Sequence, residues 1–293
     1  MRRFSHFVAL DWSGAIGTRH KAIAMAIADA AGGPPALVRR EQGWSRQEVL
    51  AILRDELPAD TLVGLDLGIS LPFVDRGAFF PGWDESPADA QSLWAMVDRI
   101  CARDEDLAAT SFVDHPVACA YFRRHGGREG AHFPPPGEIG GRGRFRVTEI
   151  EQARMGCKPY SNFNLVGAAQ VGKSSLTGMR MLHRLRGSIP VWPVDPVPSA
   201  GSVIVEIYST LAAIAGGRSA SRAKMRSIEE MNEALVTIGS PPVEGTGPID
   251  DHASDALVTA AWLRTVAHDP ALWQPCGLTP HIARTEGWTF GAL

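Results

Sequence analysis

Three acidic residues stand at or near the end of an apolar run: Asp11 in "VALDWSG", Asp66 in "LVGLDLG" and Glu206 in "VIVEIYST". A further group, Asp251, His252 and Asp255, opens the run "DDHASDALVTAAWLR". Side chains three and four apart share one face of a helix. Carboxylates drawn to one rim repel each other unless a cation neutralises them. Mg²⁺ or Mn²⁺ suits such a set, because hard cations prefer oxygen ligands. One or two such ions activate water and stabilise a leaving oxygen in phosphodiester cleavage. The candidate metal ligands are therefore Asp11, Asp66, Asp251 and Asp255. Glu206 and His252 join Asp11, Asp66 and Asp255 as catalytic candidates, with neutral His252 relaying a proton or positioning water. Taken singly, each residue also has a plain reading. Asp11 suits a turn, and Asp251 suits an early-helix position favoured by the helix dipole. Glu206 and Asp66 are harder to dismiss, since a buried carboxylate needs partners.

A second motif competes. "GAAQVGKSS", residues Gly167 to Ser175, satisfies the phosphate-loop pattern G-x-x-x-x-G-K-[ST]. Its surroundings argue against that role. The preceding "SNFNLV" is a poor buried strand, with Asn162 and Asn164 in it, and at least three strands precede it. Lys173 then reads as a substrate-phosphate contact or as a surface lysine near a helix start.

Strands are expected at Phe4–Leu10, Lys21–Asp29, Ala36–Gly43, Thr61–Gly68 and Val203–Thr210; Lys21–Asp29 also reads as a helix. Helices are expected at Ser45–Leu57, where Ser45 and Glu48 form a capping box, and at Ser86–Arg103, Pro116–Arg124, Ser174–Arg186, Ser227–Ile238 and Asp250–Ala267. His125–Arg144 reads as a Gly-, Pro- and Arg-rich loop, and Gly187–Ser202 as another. In a sheet with parallel strands, carboxyl ends gather at one rim, where ligands bind.

The composition is that of an ordinary globular protein, 45% hydrophobic and 21% charged. Four scattered cysteines form no C-x-x-C pair, so a reducing cytoplasm is the expected location. Asp11 breaks the first apolar run too early for a signal peptide, and no run approaches the ~18 apolar residues of a spanning helix. The net charge of −3 hides an asymmetry: residues Tyr121 to Pro190 hold twelve Lys/Arg and four acids. Such a basic segment suggests an anionic partner such as nucleic acid, although solvated surface arginines give the same count. Arg144, Lys173 and Arg180 are its candidate substrate contacts, with Ser13 of "DWSG" beside them.

Taken in order, "VALDWSG", "VGLDLGISLPF", "LTGMRMLHRL", "VEIYST" and "DDHASDALVTAAWLR" resemble the family called domain of unknown function 429. The resemblance spans Val8 to Arg264. It implies a ribonuclease H-like α/β fold: a mixed five-stranded sheet ordered 3-2-1-4-5, strands 1 to 3 forming an antiparallel meander. It implies a core of residues 1–68 and 203–267, a helical and loop-rich insertion at 69–202, and a C-terminal extension at 268–293. It also implies a predicted nuclease, with Asp11 on both metals and Asp66 and Asp255 matching the other acids. His252-x-x-Asp255 fits the last-helix motif, and the role of Glu206 is less defined. Two other functions stay open: an ATPase or kinase of the actin-like or phosphate-loop kind, and a non-catalytic binding protein of the same fold.

Overall fold

The computed structural model describes residues 4–134, 142–166 and 171–293. Among them, six strands form one mixed sheet: β1 (His6–Asp11), β2 (Ala24–Asp29), β3 (Ala36–Leu37), β4 (Thr61–Asp66), β5 (Val191–Trp192) and β6 (Val203–Glu206). Their order is β3-β2-β1-β4-β6-β5. The first three pair antiparallel, whereas β1 with β4, β4 with β6 and β6 with β5 pair parallel. The expected five strands are thus six. The extra one lies within 187–202, read from the sequence as loop, and its two residues are too short to show any period. β3 is also shorter than Ala36–Gly43, because the polar Arg39, Arg40 and Glu41 have nothing to bury against the sheet.

The helices are α1 (Arg46–Ala51), α2 (Ala90–Ile100), α3 (Thr110–Val113), α4 (Val147–Arg154), α5 (Val171–Leu185), α6 (Ser209–Ala215), α7 (Ile228–Thr237), α8 (Asp251–Val266), α9 (Pro270–Trp273) and α10 (Pro280–Thr285). The capping box before α1 forms: Glu48 N–H donates to Ser45 Oγ at 3.0 Å, and Ser45 N–H donates to Glu48 Oε2 at 2.9 Å. The expected helix Pro116–Arg124 is reduced to a 3₁₀ turn, Ala118–Tyr121. Arg123 is extended instead, its N–H donating to Phe163 O and its carbonyl accepting from Leu165 N–H. Residues 135–141 of the expected loop His125–Arg144 lie outside the described residues.

Strand periodicity sorts the side chains onto two faces. Val8, Leu10, Val63, Leu65 and Ile204 pack into one hydrophobic layer with residues of α1, α2 and α5. Phe7, Ala9, Leu62, Val203 and Val205 pack into the other with residues of α6, α7 and α8. Gly64 lets α8 come close: a Cβ there would sit 2.9 Å from Leu263 Cδ1. The insertion supplies the helical cover of the first face, and Trp288 and Phe290 of the C-terminal extension are fully buried in the second layer. Among the described residues, no helix is long and apolar enough to cross a membrane.

Candidate active site

Two of the predicted acids meet through strand register. Asp11 and Asp66 are direct partners at the carboxyl ends of parallel β1 and β4. Asp11 follows Phe7 and Ala9 by steps of two, and Asp66 follows Leu62 and Gly64, so both project from the face that α8 covers. Asp250 caps α8, its Oδ1 accepting from His252 N–H at 2.9 Å. That start places the next two turns over the acids. His252 Nδ1 lies 2.7 Å from Asp11 Oδ2. Asp255, 5% exposed, makes a short ion pair with Lys224. Lys224 Nζ also lies 4.0 Å from Asp251 Oδ2.

The charges feel one another. Burial, then the Asp11 charge and further on that of Asp255, push the Asp66 carboxyl up to about 7. Ser209, through its hydroxyl first and then its N–H at 3.3 Å from Asp66 Oδ2, offsets only part of this. Burial also raises Asp255 to about 6, although Lys224 pulls the other way. Burial disfavours the Lys224 charge, yet Asp255, Asp11 and Asp251 together hold its ammonium above the ordinary lysine value. The hydrogen bond to Asp11 raises His252 above the usual imidazole range.

A cavity of about 450 Å³ opens beside this cluster. Asp11, Asp66 and Lys224 line it together with Trp12, Ser174, Tyr160 and Tyr208. The loop after β1 is held in place from two sides. Arg46 donates to Ser13 O at 3.0 Å and to Ala15 O at 2.5 Å, and Trp12 Nε1–H donates to Thr177 Oγ1 at 3.0 Å.

Other predicted residues fall elsewhere. Glu206 shares the parity of Ile204, so it projects from the opposite face of the sheet to Asp11 and Asp66. Although it reaches the cavity wall, both its oxygens are occupied. Arg146 donates to them at 2.6 and 2.8 Å, Ile69 N–H donates at 2.8 Å, and Thr289 Oγ1 adds a short hydrogen bond. Rather than a member of the acidic cluster, Glu206 is the buried counter-ion of Arg146. Arg144 is spent on Asp75 and the carbonyls of Pro72, Ala78 and Phe79. Arg180 is spent on Asp98 and the carbonyls of Asp104 and Ala108. Neither is presented to a substrate, because each is buried against internal acceptors. Ser13 is 9% exposed and its hydroxyl accepts from Ala15 N–H. Ser174, not Lys173, lines the cavity.

Residues 167–170 of the phosphate-loop pattern lie outside the described residues. The remainder starts α5, and residues 142–166 just before it belong to no strand of the sheet. Ser175 is fully buried, donating to Val171 O at 2.8 Å and accepting from Gly68 N–H at 3.2 Å. The "GKSS" residues thus form a packing seam between the loop after β4 and α5.

Sequence reasoning missed Lys224, Arg146 and Tyr160. Lys224 sits in "SRAKMRS" with no pattern to single it out, and Arg146 is one arginine among many in the basic segment. The one available hint was Glu149, three residues after Arg146, where an ion pair on a first helical turn is expected.

The donor chemistry fits a hard divalent cation. Asp11, Asp66 and Asp255 offer carboxylate oxygens whose mutual repulsion a bound cation would relieve, as protonation and Lys224 do in part. Asp250, Asp251 and His252 have ligand atoms within 4.8 Å of one another at the start of α8, while Asp255 is turned to Lys224. Comparison with known protein families, with curated proteins and with solved structures gives no match for this chain.

Proposed function

We propose that the chain is a divalent-metal-dependent phosphodiester hydrolase, a nuclease or phosphodiesterase with a ribonuclease H-like sheet. One observation carries this reading: Asp11 and Asp66 end adjacent parallel strands in register, beneath an α8 that brings His252 and Asp255 to the same place. The antiparallel meander followed by parallel strands supports the sheet assignment.

Asp11, Asp66 and Asp255 are the residues that would hold the ion, with Asp251 beside them. When bound, the ion supplies an activated water and neutralises charge on the leaving oxygen. The Asp11 carboxylate accepts from His252 Nδ1–H, which fixes the tautomer and leaves Nε2 as the basic nitrogen. His252 Nε2 then takes or returns a proton at the start of α8. Lys224 places a positive charge on the cavity wall, where it orients a phosphoryl oxygen. Ser209 N–H holds Asp66 in place.

Purified protein should cleave DNA or RNA in the presence of Mg²⁺ or Mn²⁺. Asp11→Asn should abolish that cleavage without lowering the melting temperature. Cleavage that persists in this variant, or that ignores a chelator, would remove the proposal.

A further inference from the structure

The basic segment reads as a grip for a long polyanion, but most of its charges are already paired. Of its twelve Lys/Arg, eight hold a carboxylate at 3.8 Å or closer. Four of the partner acids, Asp75, Asp98, Asp114 and Glu206, come from outside the segment. The acidic body of the chain therefore offsets about half of the excess. Arg144, Arg146 and Arg180 are buried outright. Tracking a run of phosphates takes exposed lysines and arginines free to release counter-ions. Here most of them face inward or are paired.

The cavity offers a different kind of recognition. At about 450 Å³ it lies at the small end of ligand pockets, which run from roughly 300 to 1,000 Å³. Beside the carboxylates its lining carries Trp12, Tyr160 and Tyr208. Tyr160 is 50% exposed, an aromatic ring left half open to solvent at the cavity. An aromatic face of this kind stacks a nucleobase of any sequence. Of the two basic residues that line it, Arg146 is buried between Glu149 and Glu206, whereas Lys224, half exposed beside Asp255, can meet a single phosphate.

Resting on the phosphoester reading of this site, we infer that it takes one nucleotide unit at a time, a small nucleotide phosphoester or the end of a strand, stacked on Tyr160. The interior of a long polynucleotide is not its substrate.

The test is equilibrium binding with Ca²⁺ in place of Mg²⁺. The probes are the dinucleotide pTpT, a linear 40-nucleotide single strand and a closed circle of the same sequence. The circle should bind at least about tenfold more weakly than pTpT, whose affinity should fall with salt by a log–log slope near one. Equal affinity of pTpT and the linear strand assigns strand ends, and preference for pTpT assigns small nucleotides. Tyr160→Ala should weaken pTpT roughly tenfold, by loss of stacking. Tyr160→Phe should keep the affinity, and both variants should melt with the wild type because the ring is half exposed. Tight binding of the circle with a slope of about three or more would overturn the inference, as would an unaffected Tyr160→Ala. Mn²⁺-dependent cleavage of the circle would also overturn it, while leaving the phosphodiesterase reading intact. Binding of pTpT without cleavage of any probe would do the reverse.

Discussion

Replacing Asp66 by asparagine should stabilise the metal-free protein while removing the proposed phosphodiesterase activity. The Asp66 carboxyl is raised from 3.8 to about 7, by burial first and by the Asp11 charge second. Three pKa units at about 1.36 kcal/mol each set a ceiling of ~4 kcal/mol. Asp66 is only partly covered, so solvent screening reduces the expected gain to about 2 kcal/mol. A carboxyl whose folded pKa lies above its unfolded value binds more protons in the folded state. Its contribution is most favourable below pH ~4 and is lost as pH rises through about 7. Asparagine does not titrate and still accepts from Ser209 N–H. The stability difference between Asp66→Asn and wild type should therefore widen from pH 4 to pH 7 and then level off. At 2–4 °C per kcal/mol, the variant should melt roughly 5 °C higher at pH 8 in chelator. Adding Mn²⁺ should reverse the order: wild type gains about 2.7 kcal/mol at a hundred times the dissociation constant, and the variant gains much less. Calorimetric or circular-dichroism melts across this pH range decide the matter. Parallel pH curves, or a variant less stable at pH 8 in chelator, would refute the argument that Asp66 sits in a repulsive carboxylate cluster.

Other substitutions separate the remaining roles. Arg146→Ala leaves Glu206 and Glu149 buried without their counter-ion; it should cost about 3–5 kcal/mol in denaturant melts, whereas a loss below ~1 kcal/mol would contradict the structural role of that pair. Lys224→Met removes the cation that restrains Asp255, whose carboxyl already lies at about 6, so the proton will be held to higher pH. Mn²⁺ affinity by calorimetry should then drop at pH 6.5 and recover by pH 8.5, and an equal loss at both would exclude this linkage. Gly14→Ala places a Cβ 2.3 Å from Lys173 C and 2.4 Å from Ser174 N, both backbone atoms that cannot step aside. It should cost about 1–3 kcal/mol and lower kcat by displacing the loop after β1, and a neutral melt would show that the loop and α5 separate readily.

Much of the fold was legible because it rests on local patterns. The apolar runs that end in Asp11 and Asp66 became β1 and β4, and Ser45 with Glu48 capped α1, since a cap needs only residues three apart. The strand Val191–Trp192 was not legible, because two residues carry no period and its pairing is wholly non-local. The helix Pro116–Arg124 failed because Arg123 bonds across to Phe163 and Leu165, some forty residues away, a partnership that local propensity cannot foresee.

By itself, the sequence determined which side chains carry carboxylate and imidazole donors and that each stands at the end of an apolar run or the start of a helix. Only the tertiary structure decided which of them meet. Side-chain direction alternates with every residue along a strand, so the register of β4 against β6 turns Glu206 away from the face that carries Asp11 and Asp66. Charge obeys the same logic: the arginines of the insertion read as a free basic surface until folding places acids from distant segments against them. An ion pair depends on separation in space, which composition does not record.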